Sequence, residues 1–564
     1  MNRRVLSPLS IAAFWLIVWG VPVLARAHLA ASVRLPPLGT TDLASTLAAA
    51  MLLTAATLAL PRALRVACCG AGLVVFGIGG LLQLGALTFA RGEMAPALAA
   101  AILHTSAGEA SEFLLGRGMP HATLLFARYA AALLLLPAGL LVVLRKTQDA
   151  WAPTSRWFGT ALCVVLLASS GAGAASAVST SVPGRLKVAG AAVIPVRSYD
   201  PFMALVAVGR AVSAHQREAS APVPLPGAVT QTGTPPEVLV VVVGESLTRH
   251  HMGLYGYQRP TTPRLGGLAA AGELVVFRDV VASHADTLQS LRDAFSLTGD
   301  GAAAPSATIF QALGGPFDTF WISNQPLFPL FGERVATDEG LLAATVEHRT
   351  WLNTDWRLPW HEPAAKFDEN VIVPLVDAVG RRSGPAAVFI HLTGSHVAYA
   401  QRFPPAFAQF SGDVAGHSRS ESAVINAYDN SVLYNDFVVA GLIDRVKALN
   451  RDAAVVYFAD HGEEVYDFRD FEGHSSVAPS RYAADVPLVV WMSERYRAQR
   501  PQLVADVMSA QARPVQLRDL AAAIARLADI RFEPWRNARD PLSVAYAPPR
   551  PTVSGVPYDD LPGF

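Results

Sequence analysis

VLVVVVGES, residues 238–246, is a run of six apolar residues, mostly β-branched, closed by a glycine, a carboxylate and a serine. No polar residue interrupts the run, which is the pattern of a central parallel strand buried on both faces. Comparable runs follow at Phe317–Ile322, Ala386–His391, Ala453–Ala459 and Pro487–Met492, with helical patterns between them, notably over Ala423–Leu449. Strand alternating with helix predicts an α/β sandwich with a mostly parallel sheet. Ligands of such sheets bind beyond the C-terminal ends of the strands, so the chemistry is expected there.

Those ends carry metal-ligand chemistry. Glu245 closes the first run, Thr393-Gly394-Ser395-His396 follows the third, and Asp460-His461-Gly462-Glu463 follows the fourth, with Glu472-Gly473-His474 shortly after. Mixed oxygen and imidazole donors suit zinc better than magnesium or calcium. Zinc lowers the pKa of a coordinated hydroxyl and makes it a nucleophile at neutral pH. Thr287, in SHADTLQSLR (residues 283–292), offers such a hydroxyl at the start of a helix whose N-terminal amides favour an anionic phosphate. Blander readings exist for each residue. Thr287 alone reads as a helix cap, and Asp460-His461-Gly462 alone as a turn. Ser246 lacks the second glycine of a nucleophile elbow and reads as a supporting or helix-starting residue. His250 and His251 read as surface or supporting residues, and His391 as a hydrogen-bonded core residue.

The 564-residue chain is too long for one ordinary domain. It is 52% hydrophobic and 16% charged, and the apolar excess lies before about residue 180. With 45 basic and 45 acidic residues, nothing in the charge suggests a nucleic-acid partner. Five apolar stretches are candidate spans: Pro8–Ala25, Leu43–Leu60, Val66–Phe89, Ala122–Leu144 and Trp157–Ala175. Arg3, Arg4, Arg62, Arg65, Arg145, Lys146 and Arg156 flank them on one side, with Asp149 as the lone acid there. By the positive-inside rule that side is cytoplasmic, and five spans put everything after Ala175 outside. Read instead as a cleaved signal peptide, the first stretch leaves four spans and the same external domain. Three parts are expected: residues 1–176, a transmembrane domain of five helices; 177–236, a bridging helix over Tyr199–Glu218 with a Pro/Ala/Thr/Gly-rich linker; and 237–564, a soluble domain. Thr105 and Glu109 lie one helical turn apart in the loop before the fourth span, as lipid-headgroup contacts or as solvated positions of an interfacial helix. Cys68, Cys69 and Cys163 all fall in apolar runs, so the soluble part has no disulfide.

Taken together, these segments resemble the phosphoethanolamine transferases that modify lipopolysaccharide, a family of the sulfatase and alkaline-phosphatase superfamily that includes the colistin-resistance enzymes. The resemblance is carried by VVVGES (241–246) leading to MGLYGYQRPTTP (252–263), by SHADT (283–287), by HLTGSH (391–396), by Tyr428-Asp429-Asn430, and by Asp460-His461-Gly462-Glu463 and Gly473-His474. It implies an inner-membrane enzyme whose sulfatase-like catalytic domain lies in the periplasm. Glu245, Thr287, Asp460 and His461 would hold one zinc, with Thr287 forming a phosphoethanolamine-enzyme intermediate. His396 and His474 would bind the transferring phosphate, protonate a leaving group or hold a second zinc. Thr105 and Glu109 would contact the donor, phosphatidylethanolamine. The acceptor would be lipopolysaccharide, at lipid A or a core heptose phosphate, or a periplasmic glucan. The absent disulfides depart from the lipid A enzymes, and the tail around Pro548–Asp559 is similar to the core or glucan branch.

Rival readings differ in testable features. A sulfatase needs a cysteine or serine followed two residues later by proline and then arginine; no such motif follows the first metal segment, and all three cysteines lie in the membrane part. A phosphoglycerol transferase would share the five spans but fits LYGYQRPTTP (254–263) less well. A membrane-anchored scaffold or sensor would not need Glu245, Thr287, His396, Asp460, His461 and His474 intact.

Overall fold

The computed structural model describes residues 3–29, 38, 40–89, 92–94, 98–99, 102, 120–146, 201–218, 223–299, 301, 306–326, 338–353, 367–380, 384–476 and 478–563. They fall into two compact units, one running through the N-terminal helices to Ser213 and the other from Ala214 to the C-terminus.

The first unit is built from α1 (Arg3–Leu29), α2 (Thr40–Ala59), α3 (Arg62–Thr88) and α4 (Pro120–Lys146), followed by the start of α5 (Pro201–Glu218). Ile11, Phe14, Trp15 and Val18 of α1 pack against α2, α3 and α4 in a buried apolar cluster. The buried Trp15 indole donates to Thr57 Oγ1 at 2.9 Å, leaving no unpaired donor there. Three described helices are long and apolar enough to cross a membrane: Leu9–Leu29, Leu64–Thr88 and Ala122–Arg145. Four of the five expected spans fall among the described residues, and these three match the first, third and fourth. Among the described residues, α2 contributes the shorter apolar stretch Thr46–Ala59. The fifth expected span, Trp157–Ala175, and the pair Thr105 and Glu109 lie outside the described residues.

In the second unit a seven-stranded sheet comprises β1 (Val238–Gly244), β2 (Leu274–Phe277), β3 (Asp318–Pro326), β4 (His348–Asn353), β5 (Ala386–His391), β6 (Ala453–Ala459) and β7 (Leu488–Met492). Their spatial order is β2-β7-β6-β1-β5-β3-β4. The sheet is mostly parallel, as expected, and mixed through one reversed strand. β7 runs antiparallel to both neighbours, β6 and β2. Its residues are as buried and apolar as those of a parallel strand, so composition could not reveal the reversal. Direction is set by the connection: between β6 and β7 the chain forms only two short strands and a four-residue helix, not a long crossover helix.

Alternation along β1 builds the two cores. Leu239, Val241 and Val243 face one layer, with Phe295, Phe310, Trp321 and Phe389. Val238, Val240 and Val242 face the other, with Tyr434, Val438, Leu442 and Ile443. The first layer includes α6 (Thr287–Phe295); the second includes the C-terminal half of α7 (Arg419–Ala448). The start of α7 is fixed by a capping box in which Ser418 Oγ accepts from Glu421 N and the Glu421 carboxylate accepts from Ser418 N. Arg445 and Lys447 complement the dipole in its last turn.

β1 pairs in parallel with β5, Val243 opposite His391, and with β6, Gly244 opposite Ala459. The three strands therefore end level, and Glu245, Leu392 and Asp460 emerge side by side. The expected linker carries a strand of its own, Val229–Gln231, paired with Ile530–Phe532.

Phe295 is fully buried, with its ring against Phe310, Trp321, Phe389 and Phe458. Phe295→Ala should destabilise the second unit by about 3–5 kcal/mol through the cavity it leaves. Denaturant unfolding of this unit checks this, and a loss below about 1 kcal/mol would contradict the packing described.

Candidate active site

Glu245 follows β1 and is buried to 1% exposure. Room for it depends on Gly394, whose φ of +56° places its backbone so close that a Cβ would lie 2.6 Å from Glu245 O. That turn is held by the buried Asp368, which accepts from Thr393 N and Gly394 N at 2.8 Å each and from the Asn324 amide at 2.8 Å. Behind Glu245, Ser246 adopts φ +56°, its carbonyl accepting from Tyr428 OH at 2.9 Å and its hydroxyl donating to Glu245 Oε1 at 2.8 Å. Ser246 is thus a buried support of the carboxylate in a tight turn.

Thr287 is the first residue of α6, but it does not cap the helix. Asp286 does, accepting from Gln289 N at 3.0 Å. The Thr287 hydroxyl is left to face Glu245, with Oε1 and Oε2 at 3.2 and 3.1 Å, and His461 Nε2 at 3.3 Å. His461 Nδ1 lies 2.9 Å from Gly462 O, a carbonyl that can only accept. Nδ1 therefore carries a proton, and Nε2 is the atom offered to the site. Nε2 is 3.4 Å from Glu245 Oε1 and 3.5 Å from Asp460 Oδ2. Asp460 Oδ1 accepts from Ser246 N and His461 N, at 3.1 and 2.7 Å.

Burial alone would push the Glu245 pKa up. The neighbouring His391 and His461 rings, aided by the charge of His396, instead hold it well below the usual carboxylate range. Burial and the Glu245 charge push Asp460 up to about 7. Burial disfavours a charged His461, yet Asp460 and Glu245 raise its pKa to about 10. The arrangement fits a divalent cation. Asp460 Oδ2 is buried with no hydrogen-bond partner, a costly condition without a counter-charge. Glu245, Asp460 and His461 each offer a ligand atom within 4.8 Å of the others. A second such group is His461, Glu463 and His474.

On the rim, the His474 ring is 4.1 Å from that of His461, and its Nδ1 is 2.7 Å from Glu463 Oε2. Glu463 is itself buried, accepting from Tyr399 OH at 2.7 Å. His396 is half-buried on the turn after β5. Thr287, Glu245, Asp460, His461 and His474 are therefore brought together by direct contacts, while His396 acts on Glu245 through its charge.

Several residues here had no role from sequence. Gln325 at the end of β3 donates to Leu392 O at 2.8 Å and reaches Glu245 Oε2 at 3.4 Å. His391 is a core residue, as expected, but its Nε2 faces Glu245 Oε2 at 3.7 Å while Nδ1 contacts Glu339 at 3.0 Å. Burial opposes its charge, and Glu339 and Glu245 nonetheless raise its pKa to about 10. The His391 position at a strand end was the one available signal; Glu339 and Gln325 carried none.

With this geometry in hand, the chain can be placed. The sulfatase family model matches residues 237–530, more than half of the chain, and the chain belongs to that family. It is 30% identical over 330 residues to the Escherichia coli K12 phosphoethanolamine transferase EptC, covering 56% of each chain. It is 29% identical over 269 residues to the Kdo(2)-lipid A phosphoethanolamine 7''-transferase of the same organism, covering 46% of this chain and 45% of that one. The chain spans about half the length of these curated relatives in the matched regions. Among solved structures, the C-terminal periplasmic domain of E. coli EptC in complex with Zn aligns with TM-score 0.54 at 29% identity, over 61% of this chain and 98% of that one. The integral membrane lipooligosaccharide phosphoethanolamine transferase A of Neisseria meningitidis aligns with TM-score 0.62 at 20% identity, over 94% and 98%, and shares the fold.

His251 is buried rather than on the surface, with Asp429 Oδ1 at 2.6 Å from Nδ1 and Asp467 Oδ1 at 2.9 Å from Nε2. Asp429 also accepts from Tyr257 OH at 2.9 Å and from Arg259 at 2.7 Å. Burial opposes the charged ring, but the two aspartates raise its pKa to about 9. The folded-state pKa lies above the ordinary value, so the contribution is complete below about pH 6.5 and fades as pH rises through about 9. His251→Gln should therefore lower stability by about 3 kcal/mol at pH 6, with the gap closing toward pH 10. Melting of both proteins across that range checks this; a gap that stays constant or widens with pH contradicts a charged His251.

Proposed function

We propose that the chain transfers phosphoethanolamine from phosphatidylethanolamine to a lipopolysaccharide acceptor, at lipid A or a core heptose phosphate, or to a periplasmic glucan. The carrying observation is the Thr287 hydroxyl, freed from capping by Asp286 and held within 3.3 Å of both Glu245 and His461. Glu245, Thr287, Asp460 and His461 would hold a zinc ion, with His461, Glu463 and His474 available for a second. The mixed oxygen and nitrogen donors and the orphaned Asp460 oxygen support that choice. Bound there, zinc would supply Lewis-acid stabilisation of phosphoryl oxygens and acidify the threonine hydroxyl.

In the first half-reaction Thr287 Oγ attacks phosphorus and the bond from phosphorus to the diacylglycerol oxygen breaks. The Thr287 proton passes toward Glu245, and the leaving oxygen takes a proton from His396 or His474. The N-terminal amides of α6 face the phosphoryl group. In the second half-reaction an acceptor oxygen attacks the same phosphorus and Thr287 leaves. Two steps suit two membrane-associated substrates, because the donor can depart before the acceptor enters. The relatives' names support phosphoethanolamine as the transferred group. The apolar helices support attachment to the inner membrane, with residues 237–564 as a periplasmic catalytic domain and Thr105 and Glu109 near the donor.

Two measurements test this. Asp460→Ala should lose bound metal and transfer together, while Thr287→Ala loses transfer with its fold intact and Thr287→Ser keeps part of it. Full transfer by Thr287→Ala, or by a metal-free preparation, would overturn the assignment. For orientation, a reporter fused after Phe564 should be active only outside the cytoplasm and one within residues 147–155 only inside. Cytoplasmic signal from the C-terminal fusion would contradict access to an envelope acceptor.

A further inference from the structure

Thr287 is reached through a loop, residues 283–286, that has no regular structure of its own. Its position is set from outside. On one side, Ser476 Oγ contacts Ala285 O at 3.2 Å and Asp286 Oδ2 at 2.7 Å. On the other lies the C-terminal tail, nearly 270 residues further along the chain. Ala285 N donates to Ser554 Oγ at 3.1 Å, and Ser554 N donates to Ser283 O at 2.9 Å. The Ala285 side chain is fully buried in an apolar cluster with Val281, Ala483, Ala484, Val553 and Leu561. Both backbone polar atoms of Ala285, two residues before the nucleophile, are thus held by other segments.

The tail is shaped for this contact. Thr552–Val553 and Val556–Pro557 form a hairpin whose two-residue turn, Ser554-Gly555, has φ of +49° and +83°. Turns with two positive φ angles favour Asn, Asp or Gly at the first position. A serine there is disfavoured by the backbone, and its hydroxyl contributes nothing to the hairpin. It contributes the acceptor for Ala285 N. The other end of the tail is anchored too: Tyr558 OH donates to Asp485 Oδ1 at 2.8 Å, and Pro562 O accepts from Arg481 N at 3.0 Å. Asp485 is fully buried and also holds Arg249 at 2.9 Å and His250 at 2.7 Å, on the segment that follows Glu245 and Ser246. One strap therefore touches the loop carrying the nucleophile and a residue bound to the segment carrying the metal-site carboxylate.

We propose that the C-terminal hairpin is a positioning strap for the nucleophile, with Ser554 as the positioning residue that sets Thr287 through Ala285 and Tyr558 as its anchor. This rests on Thr287 being the nucleophile. Ser554 touches neither substrate nor metal; it acts on the distance between Thr287 Oγ and the phosphorus it attacks. Misplacement by about 1 Å at a reacting atom costs up to roughly a hundredfold in rate.

The test uses the full chain with phosphatidylethanolamine vesicles and follows diacylglycerol release, the first half-reaction. Ser554→Gly is the informative variant, because glycine relieves the positive φ and so favours folding while deleting the hydroxyl. Ser554→Gly and Ser554→Ala should both lower kcat by about tenfold or more, with KM, bound metal and melting temperature unchanged. Tyr558→Phe should give a smaller fall of the same kind. Wild-type kcat in Ser554→Gly, or a fall that tracks lost metal, overturns the strap. Thr287→Ala measured alongside separates the two ideas. If it is inactive while Ser554→Gly is normal, the strap alone fails; if it is fully active, the nucleophile assignment fails.

Discussion

The level pairing of β1 between β5 and β6 is the constraint on which the rest depends. With Val243 opposite His391 and Gly244 opposite Ala459, three parallel strands deliver Glu245, the 392–396 turn and Asp460-His461 to one edge. A one-residue slip of β1 would exchange the residues it gives to its two cores. Leu239, Val241 and Val243 belong to one layer and Val238, Val240 and Val242 to the other, so any slip is opposed along the whole strand. Precision at the site is thus secured by apolar packing well away from it.

Burying this much charge has an electrostatic consequence. Glu245 and Asp460 lie in one buried cradle, where the neighbouring His391, His461 and His396 keep the first carboxylate ionised against burial, while burial and the Glu245 charge push the second toward neutrality. The surrounding hydrogen bonds satisfy most polar atoms: Ser246 and Gln325 on Glu245, Tyr399 on Glu463, Asp368 on the Gly394 turn. His391 Nε2 beside Glu245 lacks a hydrogen-bond partner, and Asp460 Oδ2 is a buried carboxylate oxygen also left without one. A cation bound there would remove that cost and displace a proton, which couples metal affinity to pH and to folding. The same field draws the Thr287 hydroxyl proton toward Glu245.

Much of this was legible in the sequence, and the limits have physical causes. The ranges Ala386–His391 and Ala453–Ala459 coincide with β5 and β6, because a strand buried on both faces must be an unbroken apolar run. β4, HRTWLN, was invisible because an edge strand is half exposed and can be polar. The reversal of β7 left no trace in its composition. Ligand-type residues at strand ends were found because chemistry restricts them to few residue types. Glu339, Gln325 and Ser554 were not, since each is an ordinary residue whose importance comes from a partner distant in sequence. The cap of α6 also needed geometry, as Asp286 and Thr287 are both good cap residues and only coordinates assign the task to Asp286.

The most direct test of the central claim is the mass of the enzyme itself. The full chain, mixed with phosphatidylethanolamine vesicles in the absence of acceptor and quenched in acid, can be digested and its peptides weighed. The account predicts one added phosphoethanolamine on the peptide containing Thr287, formed as diacylglycerol is released. An adduct on Ser246 or Ser290 instead, or diacylglycerol release with no adduct at any time within a single turnover, would contradict it.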